Sequence, residues 1–419
     1  MSQTLIVGLT EACTPRGFTG RNDGGGVVHI PDAAILIEGD SIVAVGPRRE
    51  VEPLAVENAE LLEMHGKVAI PCFVDSHTHL VWGGDRAEEF NQRLHGKTYL
   101  DIAAAGGGIK KTVRETREAS CEHLVEKASK VLDQMLLHGV GTIEAKSGYG
   151  LSLEAEMKQL DAMDVLSQAH AIEMTQTFMG AHEVPPEFKG DPAGYIDYLN
   201  ATVLPAVKVR GTVRYVDIFC EKGVFELEDT RRHMEHAKAL GFGLRMHADE
   251  LHPLGGAGLA AELGCISADH LWYTTPEDMA AMAKAGTIAT LLPGTSFFLR
   301  GPYANAEAFK KAGCIVALST DFNPGSSHTN SQALMMALGC MKMGMTFEES
   351  LTAVTLNTAA AIERAGDLGS LEPGKKADIA FLDAPSAFYL VYQWGINHVC
   401  DVMKAGDMVV QDRRLMHAW

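Results

Sequence analysis

The chain has 419 residues, with 36 Lys and Arg against 54 Asp and Glu and a formal net charge of -18; it repels phosphate backbones, and no basic run offsets this locally. Nucleic acid is therefore not an expected partner. No apolar stretch approaches the ~20 residues of a membrane span, the N-terminus lacks the basic flank and apolar core of a secretory signal, and the eight cysteines are scattered singly without a C-x-x-C pair, a pattern expected of reduced thiols in a cytoplasm.

From the N-terminus, residues 33–46 read as strand, Gly39-Asp40 turn, strand, and the chain looks all-β to about residue 65. The far end has the same character, with strands predicted at 377–383 and within 399–410 around Gly-Asp turns. Two β-rich ends flanking a different middle predict one small β-sandwich domain assembled from both termini, residues 1–66 and 367–419, beside a large central domain at 67–366.

The middle alternates strands with helical runs, the mark of βα units and a parallel sheet. Residues 68–74 read as one buried opening strand, and 121–138 carries Leu124, Val125, Ala128, Val131, Leu132, Met135 and Leu136 at helical spacing. Further strands are predicted at 142–146, 174–179, 215–220, 243–247, 267–271, 287–292 and 315–321. Eight such units over about 300 residues are the count and length of a (β/α)8 TIM-like barrel of the α/β class.

Ionisable and glycine-containing segments fall where these strands end: His77-Thr78-His79, then 146–150, 180–183, 220–223, 247–250, Asp269-His270 and 321–326. On a barrel that rim is a single site. Two histidines two residues apart in a strand face the same side and can reach one metal ion. With His247 and Asp321, His77 and His79 supply three imidazoles and a carboxylate, a set that suits zinc or iron with a position open for water. His270 and Glu250 are left as acid/base groups, whereas His170 and His233, alone on helical runs, read as structural.

With these residues in view, the chain resembles the amidohydrolase superfamily, through 74–79 opening the barrel, single histidines ending strands five and six, and an aspartate ending strand eight. Within it the chain is similar to the imidazolonepropionase family, through the runs at 77–86, 106–109, 146–151, 180–182, 219–225, 247–251 and 319–326. The resemblance spans essentially the whole barrel. It implies hydrolysis of 4-imidazolone-5-propanoate to N-formimidoyl-L-glutamate in histidine degradation, by metal-activated water, with His270 steadying the oxyanion. Asp321 is assigned the proton delivered to the departing nitrogen and Glu250 a hydrogen bond to the ring, two roles that could be exchanged. The resemblance also suggests a homodimer.

For the propanoate carboxylate, Arg86 offers a planar fork; its alternative is a surface salt bridge with Glu88 or Glu89. Tyr149, His182 and Ser326 match family substrate contacts, and Asn323 and Gly325 match contacts with the opened product. Tyr149 lies between two glycines, which loosen the backbone where a core residue would want it fixed. Where the family has proline two residues after Ser326, this chain has His328, which bears on the shape of the last loop and not on the ligands. Two rival readings are a metal-dependent deaminase of the same superfamily, keeping the ligands and the His247-x-x-Glu250 spacing, and a non-enzymatic scaffold, which would require broken ligands.

Overall fold

Two sheets organise the computed structural model, which describes residues 2–18, 26–97, 101–102 and 106–416. The barrel sheet has eight parallel strands paired in chain order: Phe73–Thr78, Val140–Lys146, Glu173–Ala181, Val213–Cys220, Gly243–Ala248, Ser267–His270, Ile288–Leu291 and Val316–Leu318. Its ring closes through the residues after the last strand and without a regular ladder. The Ser76 amide donates to Ser319 Oγ at 3.0 Å and the His79 amide to the Phe322 carbonyl at 2.9 Å. Asp75 adds to this seam by accepting from the Thr320 amide and hydroxyl at 3.2 and 2.5 Å. These bonds, and a positive φ of 51° at Asp321, cut the predicted last strand short at Leu318.

The helix Cys121–Leu137 shows how the outer layer is specified. Ser120 caps it by accepting the His123 amide at 3.2 Å, and Gly139 (φ 82°) follows its end. Leu124, Ala128, Leu132, Met135 and Leu136 are buried on its inner face, and truncating a leucine such as Leu132 to alanine there costs about 2–5 kcal/mol.

The terminal strands form one continuous nine-stranded sheet. Gln3–Thr14 pairs with Val28–Glu38 on one side, and on the other with Glu60–Glu63 and then Val68–Pro71. Val68–Pro71 in turn pairs with Ile379–Leu382, which leads to Val399–Lys404 and Asp407–Gln411. The opening strand predicted at 68–74 is therefore divided: its first half belongs to the terminal sheet, and the barrel starts at Phe73. Both halves are apolar and buried, so the change of partner leaves no mark in the hydrophobic pattern.

Ile35, Ile37, Phe381 and Met403 share one hydrophobic cluster although their strands lie far apart in the pairing order, so the sheet curls over on itself. The turns at Gly39-Asp40 and Ala405-Gly406 meet there. A Cβ on Gly406 (φ 87°) would stand 2.4 Å from the Gly39 carbonyl oxygen, which reserves that position for glycine. This turn is Ala405-Gly406, one residue earlier than a Gly-Asp turn, and short helical turns at Arg48–Val51 and Glu52–Leu54 interrupt the otherwise β-rich start.

Glu173, at the start of the third barrel strand, fastens the two bodies together. Its carboxylate meets Lys376 at 2.7 Å, Lys404 at 2.8 Å and Arg364 at 3.0 Å. Burial pushes this carboxyl up, but the Lys404 and Lys376 cations outweigh burial and hold it at about 2. Among the described residues no helix is long and apolar enough to cross a membrane.

Candidate active site

The first barrel strand carries His77 at its end and His79 just beyond, the fifth carries His247, the sixth ends on His270, and Asp321 follows the eighth. At the rim their side chains converge. The Nε2 atoms of His79 and His247 are 3.4 Å apart, and Asp321 Oδ1 lies 3.5 Å from His77 Nε2 and 3.6 Å from His79 Nε2. Donor atoms of His77, His79 and His247 fall within 4.8 Å of one another, as do those of His77, His270 and Asp321. His270 and Asp321 hold positive φ values of 74° and 51°, a strained backbone of the kind that functional sites retain.

Beneath the rim, buried carboxylates set the orientation of the imidazoles. Asp269 Oδ2 accepts from His77 Nδ1 at 2.7 Å and Asp217 Oδ1 from His247 Nδ1 at 3.1 Å, which leaves both Nε2 atoms with lone pairs. His77 Nε2 is buried without a hydrogen-bond partner, an orphaned donor atom aimed into the cluster. Three imidazoles and a carboxylate in this arrangement fit a divalent transition metal, and His77, His79, His247 and Asp321 are the residues that would hold it.

A charged layer lies below. Lys146 Nζ sits 2.8 Å from both Glu144 and Asp217, and the Arg245 guanidinium is 3.3 Å from Asp269, all with fully buried side chains. Burial opposes ionisation of Asp217, but His247 and Lys146 hold it well below the usual carboxylate range; at Asp269 burial is likewise opposed, by Arg245 and Lys146, and the carboxyl is lowered. Burial, then Lys146, keeps the His77 imidazole neutral; burial, then His182, does so for His79.

Above the ligands opens a cavity of about 590 Å³ lined by Arg86, Tyr149, His182, Glu250, Asn323, Gly325 and Ser326 together with His79, His247, His270 and Asp321. The predicted substrate and acid/base residues thus share one chamber, with His77 buried beneath it. Burial raises the Asp321 carboxyl to about 6, although Thr295 donates to its Oδ2 at 2.5 Å. Burial, then Asp321 and Glu221, pushes Glu250 well above its usual range, while burial, then His247, keeps His270 neutral. His270 Nδ1 is 3.6 Å from Glu250 Oε1.

Arg86 does pair with Glu89, Nε to Oε2 at 2.8 Å, but the pair is not on the surface. Glu89 also accepts the Gly108 amide at 3.0 Å, so it fastens the first loop while the guanidinium faces the cavity. A Cβ on Gly325 would stand 2.0 Å from Arg86 Nη1; glycine there makes room for the fork.

The glycines beside Tyr149 do not loosen the loop. Glu156 accepts the amides of Gly148, Gly150 and Leu151 at 3.1, 2.8 and 2.7 Å, and Gln159 accepts that of Tyr149 at 3.1 Å. A Cβ on Gly150 would stand 2.5 Å from the Ala155 carbonyl carbon, so close packing excludes a side chain there. His182 lies over His79, ring centroids 5.0 Å apart and 17° from parallel, and burial, then His247, lowers it to about 3. Asn323 spends its carboxamide on its own loop, donating to the Asp321 carbonyl and accepting the Gly325 and Ser326 amides at 2.7–2.8 Å. His328 is exposed, stacks on Phe322 with centroids 5.2 Å apart, and is not part of the cavity lining.

The amidohydrolase family model matches residues 225–409. The imidazolonepropionase of Alkaliphilus metalliredigens is 48% identical over 99% of this chain and 100% of its own length, and that of Geobacillus kaustophilus is 49% identical over 92% of each. The chain belongs to the imidazolonepropionase family. Its fold is shared more widely: atrazine chlorohydrolase from Arthrobacter aurescens, crystallised with zinc, superposes with a TM-score of 0.74 over 99% of this chain and 97% of that one at 19% identity.

Sequence reasoning passed over Asp217, Glu144, Arg245 and Glu156, and took Glu89 only as a surface partner for Arg86. A signal for the first three was present, because an ionisable residue inside a strand of a parallel sheet has no solvent-facing side and requires a buried partner. For Glu156 the signal was an acid in the first turn of a helix that follows a glycine-rich loop.

Proposed function

We infer that the chain hydrolyses 4-imidazolone-5-propanoate to N-formimidoyl-L-glutamate, opening the cyclic amide of the ring. The observation that carries this is a chamber lined by His79, His247, His270, Asp321 and the Arg86 guanidinium, with His77 beneath it. His77, His79, His247 and Asp321 would hold a divalent ion, zinc or iron, which would supply Lewis-acid polarisation of the ring carbonyl and a lowered pKa for water.

The side chains account for the rest. Arg86, held by Glu89, binds the propanoate and fixes the ring's orientation. The neutral His270 offers a ring N–H to the carbonyl oxygen as it gains charge. Asp321 takes the proton of the attacking water and passes it to the departing ring nitrogen, while Glu250, whose carboxyl burial pushes up, donates to the ring. In this reading the water oxygen ends on the carbonyl carbon as a carboxylate, and the amidine nitrogen leaves protonated. Arg93, Lys97 and Arg300 join Arg86 in the cavity lining and draw an anion into a chain whose net charge is -18. Eight free thiols, most of them buried, fit a reducing cytoplasm.

The test is turnover by metal-loaded protein. Consumption of 4-imidazolone-5-propanoate with matching formation of N-formimidoyl-L-glutamate, and no ammonia, is expected. Ammonia release from a nucleobase panel without ring opening of the imidazolone would instead establish the deaminase reading.

A further inference from the structure

Far from the barrel rim, Glu11, Cys13 and His29 bring a carboxylate, a thiol and an imidazole together, their donor atoms within 4.8 Å of one another. Strand geometry places them there. Cys13 and His29 are direct cross-strand partners on Gln3–Thr14 and Val28–Glu38, and Glu11, two residues before Cys13, faces the same side of the sheet. The His29 imidazole touches Glu11 through Nδ1 and is 45% exposed, whereas Cys13 is fully buried behind it. Solvent therefore reaches the cluster from the His29 side.

Two further observations bear on the site. The Cys13 thiol is free, and the Glu11 carboxylate lies beside it. A cation seated among these groups takes the place of the thiol proton, which leaves to solvent. The cluster also lies where the terminal sheet meets other segments of the chain. Glu11 Oε2 accepts the Ala387 amide at 3.3 Å, and the His29 ring is 6.2 Å from that of Phe347.

We propose that Glu11, Cys13 and His29 form a second, non-catalytic metal site for zinc or a cation of similar softness, with a fourth position open to water beside His29. The site is chemically distinct from the rim, whose His77, His79, His247 and Asp321 contain no sulfur.

That difference supplies a test that does not depend on the ring-opening reaction. Zinc-loaded protein dialysed against excess zinc should hold two zinc ions per chain by elemental analysis, and Cys13→Ser and His29→Ala should each hold one with turnover unchanged. Cobalt(II) added to the protein should give a thiolate-to-cobalt charge-transfer band in the near ultraviolet that both variants lose. Because His29 is a surface residue, His29→Ala decides the matter if Cys13→Ser does not fold. One zinc per chain in the unsubstituted protein, or a cobalt band of undiminished intensity in His29→Ala, overturns the proposal.

Discussion

Asp217 accepts from both the amide and the Nδ1–H of His247, at 3.2 and 3.1 Å, and so decides which ring nitrogen of that residue faces the other donors. Asp217→Asn removes the charge that selects this tautomer and leaves Lys146 with one close carboxylate fewer. Metal affinity should fall roughly 10–100-fold with the fold retained, as measured by competition with a chelator alongside a thermal melt. Unchanged affinity would mean that His247 is oriented by packing alone.

Arg86 and Gly325 should act as one unit. If the guanidinium binds the propanoate equally in ground and transition states, Arg86→Met raises KM roughly ten- to a hundredfold with a smaller loss in kcat, the equivalent of about 1.5–3 kcal/mol. Gly325→Ala pushes a methyl to within 2.0 Å of Nη1 and should raise KM in the same direction. In the double variant the second change should cost little, because its target is already gone. An imidazolone lacking the carboxylate should be a poor substrate and nearly indifferent to both changes. Equal losses on both substrates would reassign Arg86 to holding the loop.

Proton handling separates His270 from Glu250. His270→Ala removes the group facing the developing oxyanion and should lower kcat by about 10²–10³. Glu250→Gln keeps a hydrogen-bond donor where the carboxyl is already held protonated, so its effect should be milder. Matching large losses in kcat from both variants would move the acid/base role to Glu250.

The barrel was legible because its two strongest signals are local: apolar strand runs at regular intervals, and ionisable groups where those runs stop. His77, His79, His247, His270 and Asp321 were singled out for that reason; the structure brings them together at the rim, and the cavity above gathers Arg86, Tyr149, His182 and Ser326. What stayed hidden depends on pairing across long separations. Nothing in the sequence of 68–74 marks that Val68–Pro71 pairs with Ile379–Leu382 while Phe73 starts another sheet. Glu173 looks like an ordinary strand-end acid until Arg364, Lys376 and Lys404 arrive from residues some two hundred positions later.

That cluster gives the protein an acid-side sensitivity. A carboxylate held at about 2 against an ordinary 4.5 contributes stability that is fully present above about pH 4.5 and is lost as pH falls from there toward 2. With the side chain 29% exposed, solvent screening trims the contribution to about 1–3 kcal/mol. Glu173→Gln should therefore melt earlier than the unsubstituted protein at pH 6, and the gap should narrow as the two are compared toward pH 3. A gap of constant size across that range would show that Glu173 acts through shape and not charge.

The seam between the first and last barrel strands has a consequence for the timing of assembly. Ser76 and Ser319, which join across it, are 243 residues apart, and His77 and Asp321, two of the residues that would hold a metal, stand on its two sides. A growing chain can pair its barrel strands one after another as they emerge, but it cannot complete the donor set until almost the whole ring exists. A metal held by that set would therefore be captured only as a late event, and its retention would report that the two ends of the barrel have found each other.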